Sequence, residues 1–153
     1  MSTRSLIGIV EPDGSVSAVY CHFDGYVAYV GRMLNSHYNT EEMARKLIAL
    51  GDLSSLRERI APNPGEAHSF DNPADDVTVA YHRDRGEKFI PARRYESKES
   101  MAKNGWRDCC AEFCYVWENG AWHVAETEAW TSKSNGFRPV ADVISKELEN
   151  TLE

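Results

Sequence analysis

The chain lacks the motifs that would name a reaction. It has no G-x-S-x-G turn, no Walker A loop and no dinucleotide-binding glycine pattern. It also has no C-x-x-C and no H-E-x-x-H spacing, which are typical of zinc sites. We therefore expect no metal and no cofactor, and the sequence is more informative about the fold than about the activity.

Long apolar runs are absent as well. No stretch approaches the roughly 18 apolar residues that a membrane-spanning helix needs. The first four residues lead directly into a strand pattern, without the apolar core of a signal peptide. These absences predict a protein of the cytoplasm with no membrane association.

Cysteine is present at only four positions, and the expected compartment is reducing. We therefore expect mainly buried free thiols, because free cysteine behaves as a small apolar residue. The sequence does not decide whether Cys21 forms a disulfide with one of the other cysteines. The four positions are Cys21, Cys109, Cys110 and Cys114.

Positive charge is scarce except in one segment. The formal net charge is -7, yet residues 82–94 hold five Lys or Arg against two acids. A basic island in an acidic chain favours a small anionic ligand, whereas a long nucleic acid would need a wide basic face. We therefore do not expect direct nucleic-acid binding. The alternative is a solvated loop paired with neighbouring acids.

Turn signals and periodicity predict the secondary structure. Residues 4–10 and 15–21 form a predicted hairpin around Pro12-Asp13-Gly14, and residues 109–117 and 121–127 form another around Asn119-Gly120. Residues 77–82 alternate as a fifth strand. Helical patterns cover residues 26–37, 41–50, 52–60 and 97–104 and a segment from Pro139, with Asp24, Asn39-Thr40 and Ser97 as caps.

These elements contain no strand–helix–strand alternation. The prediction is therefore an α+β fold in one domain over residues 1–153. It has an antiparallel sheet of about five strands built from hairpins, with three to four helices packed on one face.

Histidine and aspartate recur together at three turns. An imidazole oriented by a carboxylate can act as a general base, but the same pair can also stabilise a turn. The histidines with aspartates could also form a mixed metal site, although no tight spacing fixes one. The three pairs are His22 with Asp24, His68 with Asp71, and His82 with Asp84.

Arg83 and Arg85 form the strongest candidate binding element. On an extended chain the side chains of residues two apart point to the same side, and guanidinium groups suit phosphate or carboxylate. Aromatic rings nearby could hold the base of a nucleotide-like ligand. The predicted ligand-binding residues are Tyr20, His22, His82, Arg83 and Arg85. The alternative is a surface salt-bridge network with the aromatic rings in the core.

Several motifs together resemble a family of small uncharacterised proteins of bacteriophages and mobile elements. They are D-G-S-V from Asp13, Y-C-H-F-D-G-Y from Tyr20, L-I-A-L-G-D-L-S-S-L from Leu47, H-S-F-D from His68 and R-D-R-G-E from Arg83. The resemblance covers residues 6–87 and implies a genomic setting. It implies no catalytic residue, because the family has no established activity.

Two functions are predicted from these observations, and a fold-stabilising or dimerising module with no ligand is the third alternative. The first is a non-enzymatic, phage-type accessory protein that inhibits a host defence or regulatory system. It would bind a host protein through the acidic residues 108–128, or a small nucleotide-like anion. The alternative is a small hydrolase or phosphodiesterase, with His22 or His68 as base, Asp24 or Asp71 as orienting residue, and the two arginines as anion clamp. A pocket shared by His22, His68 and the arginines would favour the second.

Overall fold

Eight strands and five α-helices make up the computed structural model, which describes residues 2–128 and 133–152, with the side chains of the last helix described to Lys146. The strands are β1 (Arg4–Val10), β2 (Val16–Cys21), β3 (Leu53–Ser55), β4 (Val79–Ala80), β5 (Arg93–Tyr95), β6 (Ala111–Glu118), β7 (Ala121–Glu126) and β8 (Arg138–Pro139). The helices are α1 (Arg32–His37), α2 (Glu41–Ala49), α3 (Tyr81–Arg85), α4 (Lys98–Cys109) and α5 (Val140–Leu152), and a π-helical turn (Val27–Gly31) leads into α1.

The strands form one mixed sheet in the order β4-β3-β2-β1-β6-β7-β8, and β5 pairs with β2 beside β3. The α+β class is confirmed, but the sheet has eight strands instead of about five. The expectation of a wholly antiparallel sheet is wrong, because β1 pairs with β6, and β2 with β3, in parallel. Both parallel pairs join segments that are distant in the chain, and turn signals cannot predict such pairs.

Helices cover both faces of the sheet, not one. Residues alternate along β1, so that Ile7 and Ile9 face a core shared with α1, α2 and α5, while Leu6 faces α4. A Cβ on Gly105 of α4 would lie 3.1 Å from Sγ of Cys114. Glycine at this position therefore lets α4 pack directly on β6.

Short-range signals predict the local structure well. Asn119 and Gly120 have φ angles of 52° and 78°, as a type I′ hairpin turn requires. Trp117 and Trp122 pair across that hairpin with ring centroids 5.6 Å apart. Thr40 caps α2 by accepting a hydrogen bond from the N–H of Met43. Ser97 caps α4 in the same way.

Three predictions near the motif residues are wrong. Residues 52–60 contain the strand β3 instead of a helix. The predicted strand over residues 77–82 is reduced to β4, because the Asp84 carboxylate accepts a hydrogen bond from the Ala80 N–H and stabilises a helix start at Tyr81. Asp24 does not cap the first helix: Tyr26 is the cap residue, without a side-chain hydrogen bond, and Asp24 has a φ of 57°.

The four cysteines are free thiols in two environments. Cys21 and Cys114 are buried, as expected, and burial raises the pKa of each to about 12. Cys110 is exposed and Cys109 is half-buried, so the expectation of burial fails for these two. No helix within the described part of the chain is long and apolar enough to cross a membrane.

Candidate functional site

Part of the Tyr20–Tyr26 heptapeptide serves the fold. Cys21 is in the core, and the Gly25 N–H donates to the Thr3 carbonyl at 2.8 Å. A Cβ on Gly25 would lie 2.9 Å from both Cβ of Ser5 and the Thr3 carbonyl oxygen. No side chain fits there, so this glycine is required where the turn crosses β1. The His22 and Phe23 N–H groups pair with carbonyls of β3, but the side chains of His22, Phe23 and Asp24 are not buried in the core.

His22 is held by a chain of hydrogen bonds. Arg4 Nε donates to the Tyr20 hydroxyl at 3.0 Å, and that hydroxyl lies 2.6 Å from His22 Nδ1. Because Arg4 can only donate, the Tyr20 proton is available for Nδ1. Burial, with a smaller effect of the Arg4 charge, lowers the pKa of His22 and favours the neutral ring. The arrangement therefore favours the tautomer that carries its proton on Nε2.

His22 borders a groove of about 490 Å³, which we call the arginine groove. This volume is within the usual range of small-molecule sites. Its polar lining comes from the turn after β2, from β3 and the residues that follow it, and from α3. Its apolar lining comes from the same turn, from the loop after β3 and from β4. The lining residues are His22, Phe23, Asp24, Ser54, Ser55, Arg57, Phe70, Pro73, Val79, Tyr81 and Arg85.

The arginine groove carries more positive than negative charge, with Arg57 and Arg85 against Asp24. The Arg85 guanidinium lies 4.7 Å from the centre of the Phe70 ring, and its ion pair with Glu87 is long, at 3.9 Å between the nearest nitrogen and oxygen. Among the described residues, the Arg57 guanidinium has no hydrogen-bond or ion-pair partner. Both cations are therefore available to an anion, beside aromatic rings that can stack on a base.

His68 does not join this groove. Its side chain is 2% exposed, Nδ1 accepts the Ala74 N–H at 2.9 Å, and Nε2 lies 3.1 Å from Asp84 Oδ2. The expected pairing of His68 with Asp71 is wrong, since Asp71 is exposed. His68 instead fixes the loop of residues 61–76 against α3.

Arg83 is also held by the fold. Its guanidinium donates to the Ile60 and Thr78 carbonyls at 2.6 and 2.7 Å and to both Asp84 oxygens. The expectation that Arg83 and Arg85 point the same way is wrong, because both are in α3, where residues two apart face different directions. Burial opposes ionisation of Asp84, but hydrogen bonds from Arg83, the Ala80 N–H and His68 outweigh it and lower the pKa of Asp84.

Tyr20 and His82 line a second cavity of about 480 Å³, which we call the tyrosine cavity. Nδ1 of His82 donates to the Glu87 carbonyl at 2.7 Å, and the His82 ring packs edge-on against Phe89. Tyr81 lines both the tyrosine cavity and the arginine groove. The predicted ligand-binding residues are thus distributed between two adjacent sites, apart from Arg83.

None of the three predicted His–Asp pairs forms within residues 2–128. His22 bonds to Tyr20, His68 to Asp84, and His82 to a carbonyl, while the Tyr26 hydroxyl donates to Asp24 at 3.4 Å. The described residues also contain no group of three or more His, Cys, Asp or Glu side chains arranged to hold a metal ion. The hydrolase alternative depends on His–Asp pairs that share one pocket, and these residues do not form such a pocket.

Comparison with family models, curated proteins and solved structures gives no match. The geometry of the site is therefore the basis for any proposal about function.

Arg57 and Phe70 are among the residues of the arginine groove that were not predicted. Arg57 directly follows the L-G-D-L-S-S-L stretch, and its place beside β3 could be inferred only if that stretch were recognised as a strand. Phe70 reaches the groove because its N–H donates to the Asp84 carbonyl at 3.0 Å, which fixes the loop on α3. No local sequence pattern indicates that contact.

The acidic surface expected over residues 108–128 is partly used within the fold. Lys98 donates to Glu118 at 2.6 Å, and the Tyr95 hydroxyl donates to Asp108 at 3.0 Å. Glu112, Glu126 and Glu128 line a separate groove together with Lys133. Fewer acids are therefore free for a basic partner than the sequence suggests.

Proposed function

We propose that this protein binds a small nucleotide-like anion in the arginine groove and does not catalyse a reaction on it. The observation that carries the proposal is that Arg57, Arg85 and His22 line the same groove as exposed or half-buried aromatic rings. Two guanidinium groups and the Nε2–H of His22 supply only hydrogen-bond donors, which suit a phosphate. Phe23, which is 44% exposed, supplies a face for a base.

His22 is a binding residue in this proposal, and not a general base. With its proton on Nε2, the ring presents a donor to the groove, while its lone pair on Nδ1 is engaged by Tyr20. A general base needs a free lone pair within reach of the proton that it removes. The hydrogen bond from Tyr20 therefore favours anion binding over hydrolysis.

In the phage or mobile-element setting that the resemblance implies, such a protein would act in the cytoplasm of a host cell. It would withdraw a nucleotide-like signal from a defence or regulatory system. This role needs affinity and no turnover, which agrees with the two arginines, the His22 donor and the aromatic rings of the groove.

Isothermal titration calorimetry with 5′-AMP and with inorganic phosphate tests the proposal. We expect wild-type protein to bind both, and Arg57→Ala with Arg85→Ala to weaken AMP binding at least about tenfold, because charge-assisted hydrogen bonds are lost. Arg94→Ala is the matched control, since Arg94 is exposed on β5 and lines neither cavity. Absence of binding by wild type, or equal weakening by the control, would contradict the proposal.

Binding of a host protein is the second candidate. Phe23 and Tyr26 are 44% and 42% exposed and are separated by two residues at the motif turn. Exposed aromatic rings of this kind often anchor protein interfaces. Affinity capture from host lysate with wild type, and with Phe23→Ser and Tyr26→Ser together, tests it. A partner lost on this double substitution would support the candidate, and the same partner retained would count against it.

A further inference from the structure

The arginine groove and the tyrosine cavity are separated by about one layer of side chains. Tyr20 borders the cavity and His22 the groove, and their ring centroids are 5.9 Å apart. The Tyr20 hydroxyl bonds to His22, and the Tyr81 ring borders both spaces. A ligand longer than a mononucleotide would therefore meet both sites.

The tyrosine cavity differs from the arginine groove in its charge. Arg93 donates to both oxygens of Asp52, at 2.8 and 3.1 Å, so these charges neutralise one another. Asp108 accepts from the Tyr95 hydroxyl and from Arg107. Two cations face three carboxylates around this cavity, so it offers no surplus positive charge to a phosphate.

Its apolar lining suits a flat, neutral group. The rings of Tyr20 and Tyr81 form part of the wall, and Ile90, which is 53% exposed, lies at the edge. Gly51 has a φ of 81°, and a Cβ there would lie 3.2 Å from the Ile90 carbonyl oxygen. Glycine thus lets the segment of Phe89 and Ile90 approach closely beside the cavity.

From this contrast, and on the basis of the proposed function, we infer that the ligand is dinucleotide-like. Its phosphates lie in the arginine groove, where Arg57 and Arg85 are. Its second ring system lies in the tyrosine cavity, against Tyr20 and Tyr81. The arginine groove supplies the positive charge that the first half of the ligand requires. The tyrosine cavity supplies the stacking surface that the second half requires.

Calorimetry with 5′-AMP and with the 5′-phosphorylated dinucleotide pApA tests this inference. Stacking of one further base predicts that pApA binds at least about tenfold tighter than AMP. Ile90→Asp places a charge at the edge of the tyrosine cavity, and we expect it to remove this advantage while AMP affinity is unchanged. Cys110→Asp is a second variant at an exposed position of the same cavity, where the left-handed backbone suits aspartate.

The control is Ala141→Asp, which adds the same charge at an exposed position of α5 outside both sites. It should leave both affinities unchanged. If AMP binds and pApA binds no tighter, or if both cavity variants keep the advantage of pApA, the inference is overturned and the proposed function stands. If neither nucleotide binds, the proposed function is overturned together with the inference.

Discussion

His22 and His68 have similar sequence surroundings and opposite positions in the structure. Each precedes an aspartate by two or three residues in a polar turn. His68 is 2% exposed, and the Ala74 N–H and Asp84 engage its two ring nitrogens. His22 has one nitrogen engaged by Tyr20 and lies at a groove that contains two arginines. The fold, and not the motif, determines which histidine is available to a ligand.

The two arginines of α3 repeat this contrast. Arg83 donates to two carbonyls and to Asp84 within the fold, whereas the Arg85 side chain is 56% exposed at the groove. Asp84 connects the buried partners, since it contacts Arg83, His68 and the Ala80 N–H. The cluster of His68, Arg83 and Asp84, which we call the buried cluster, should therefore determine stability, and the arginine groove should determine binding.

Removal of Asp84 should give the largest effect. Asp84→Ala leaves the Arg83 guanidinium, His68 and the Ala80 N–H without their shared acceptor, and we expect the free energy of unfolding to fall by about 3 kcal/mol. Urea denaturation measures this. Asp71→Ala, at an exposed position of the neighbouring loop, should change it by less than about 0.5 kcal/mol. Similar values for the two variants would contradict the assignment of the buried cluster to stability.

The two histidines should separate stability from binding. His68→Ala should lower the free energy of unfolding by about 2 kcal/mol, because it leaves buried groups without partners. His22→Ala should change stability by less than about 0.5 kcal/mol and weaken AMP binding several-fold. Thermal denaturation and calorimetry on both variants measure the two quantities. A large loss of stability in His22→Ala, with weaker AMP binding only in His68→Ala, would contradict the assignment of His68 to stability and His22 to binding.

Tyr20→Phe should have a smaller effect, confined to the groove. It removes the hydroxyl that orients His22, and the loss of about 1 kcal/mol corresponds to about fivefold weaker AMP binding. Nitrogen chemical shifts of the His22 ring should show that Nε2 no longer carries the proton exclusively. A purely structural role for Tyr20 would lower stability without changing these shifts.

The pH dependence of stability should show the smallest effect, again in the buried cluster. The pKa of Asp84 in the folded state is below its ordinary value of 3.8, so its ionised form stabilises the fold above that pH. This stabilisation is lost as the pH falls below 3.8 through the lowered pKa. Urea denaturation of wild type and Asp84→Asn between pH 5 and 3 measures it. The stability difference should shrink toward pH 3, and a constant difference would contradict the lowered pKa.

The sequence predicted those parts of the fold that neighbouring residues determine. The Asn119-Gly120 turn, the caps at Thr40 and Ser97 and the opening hairpin depend on local backbone chemistry, and all were found. The parallel pairing of β1 with β6 depends on a contact between distant segments. Strand β3 has only three residues, too few for a period to distinguish it from a helix.

The same division applies to the candidate site. Tyr20, His22 and Arg85 were predicted because aromatic, imidazole and guanidinium groups cluster there in the sequence. Arg57 and Phe70 were missed because the folded loop and β3 bring them to the groove. Arg83 was wrongly assigned to the ligand because the sequence predicted an extended chain there. The helix that starts at Tyr81 depends on the hydrogen bond from the Ala80 N–H to the Asp84 carboxylate, and periodicity does not show that contact.

Histidine-ring NMR during a titration with 5′-AMP tests the central claim most directly. The nitrogen and carbon-bound proton signals of His22 and His68 are followed in one sample, so each residue is the control for the other. We expect the His22 signals to shift with added AMP to saturation while those of His68 stay unchanged. An unshifted His22, or shifts of equal size at both histidines, would contradict it.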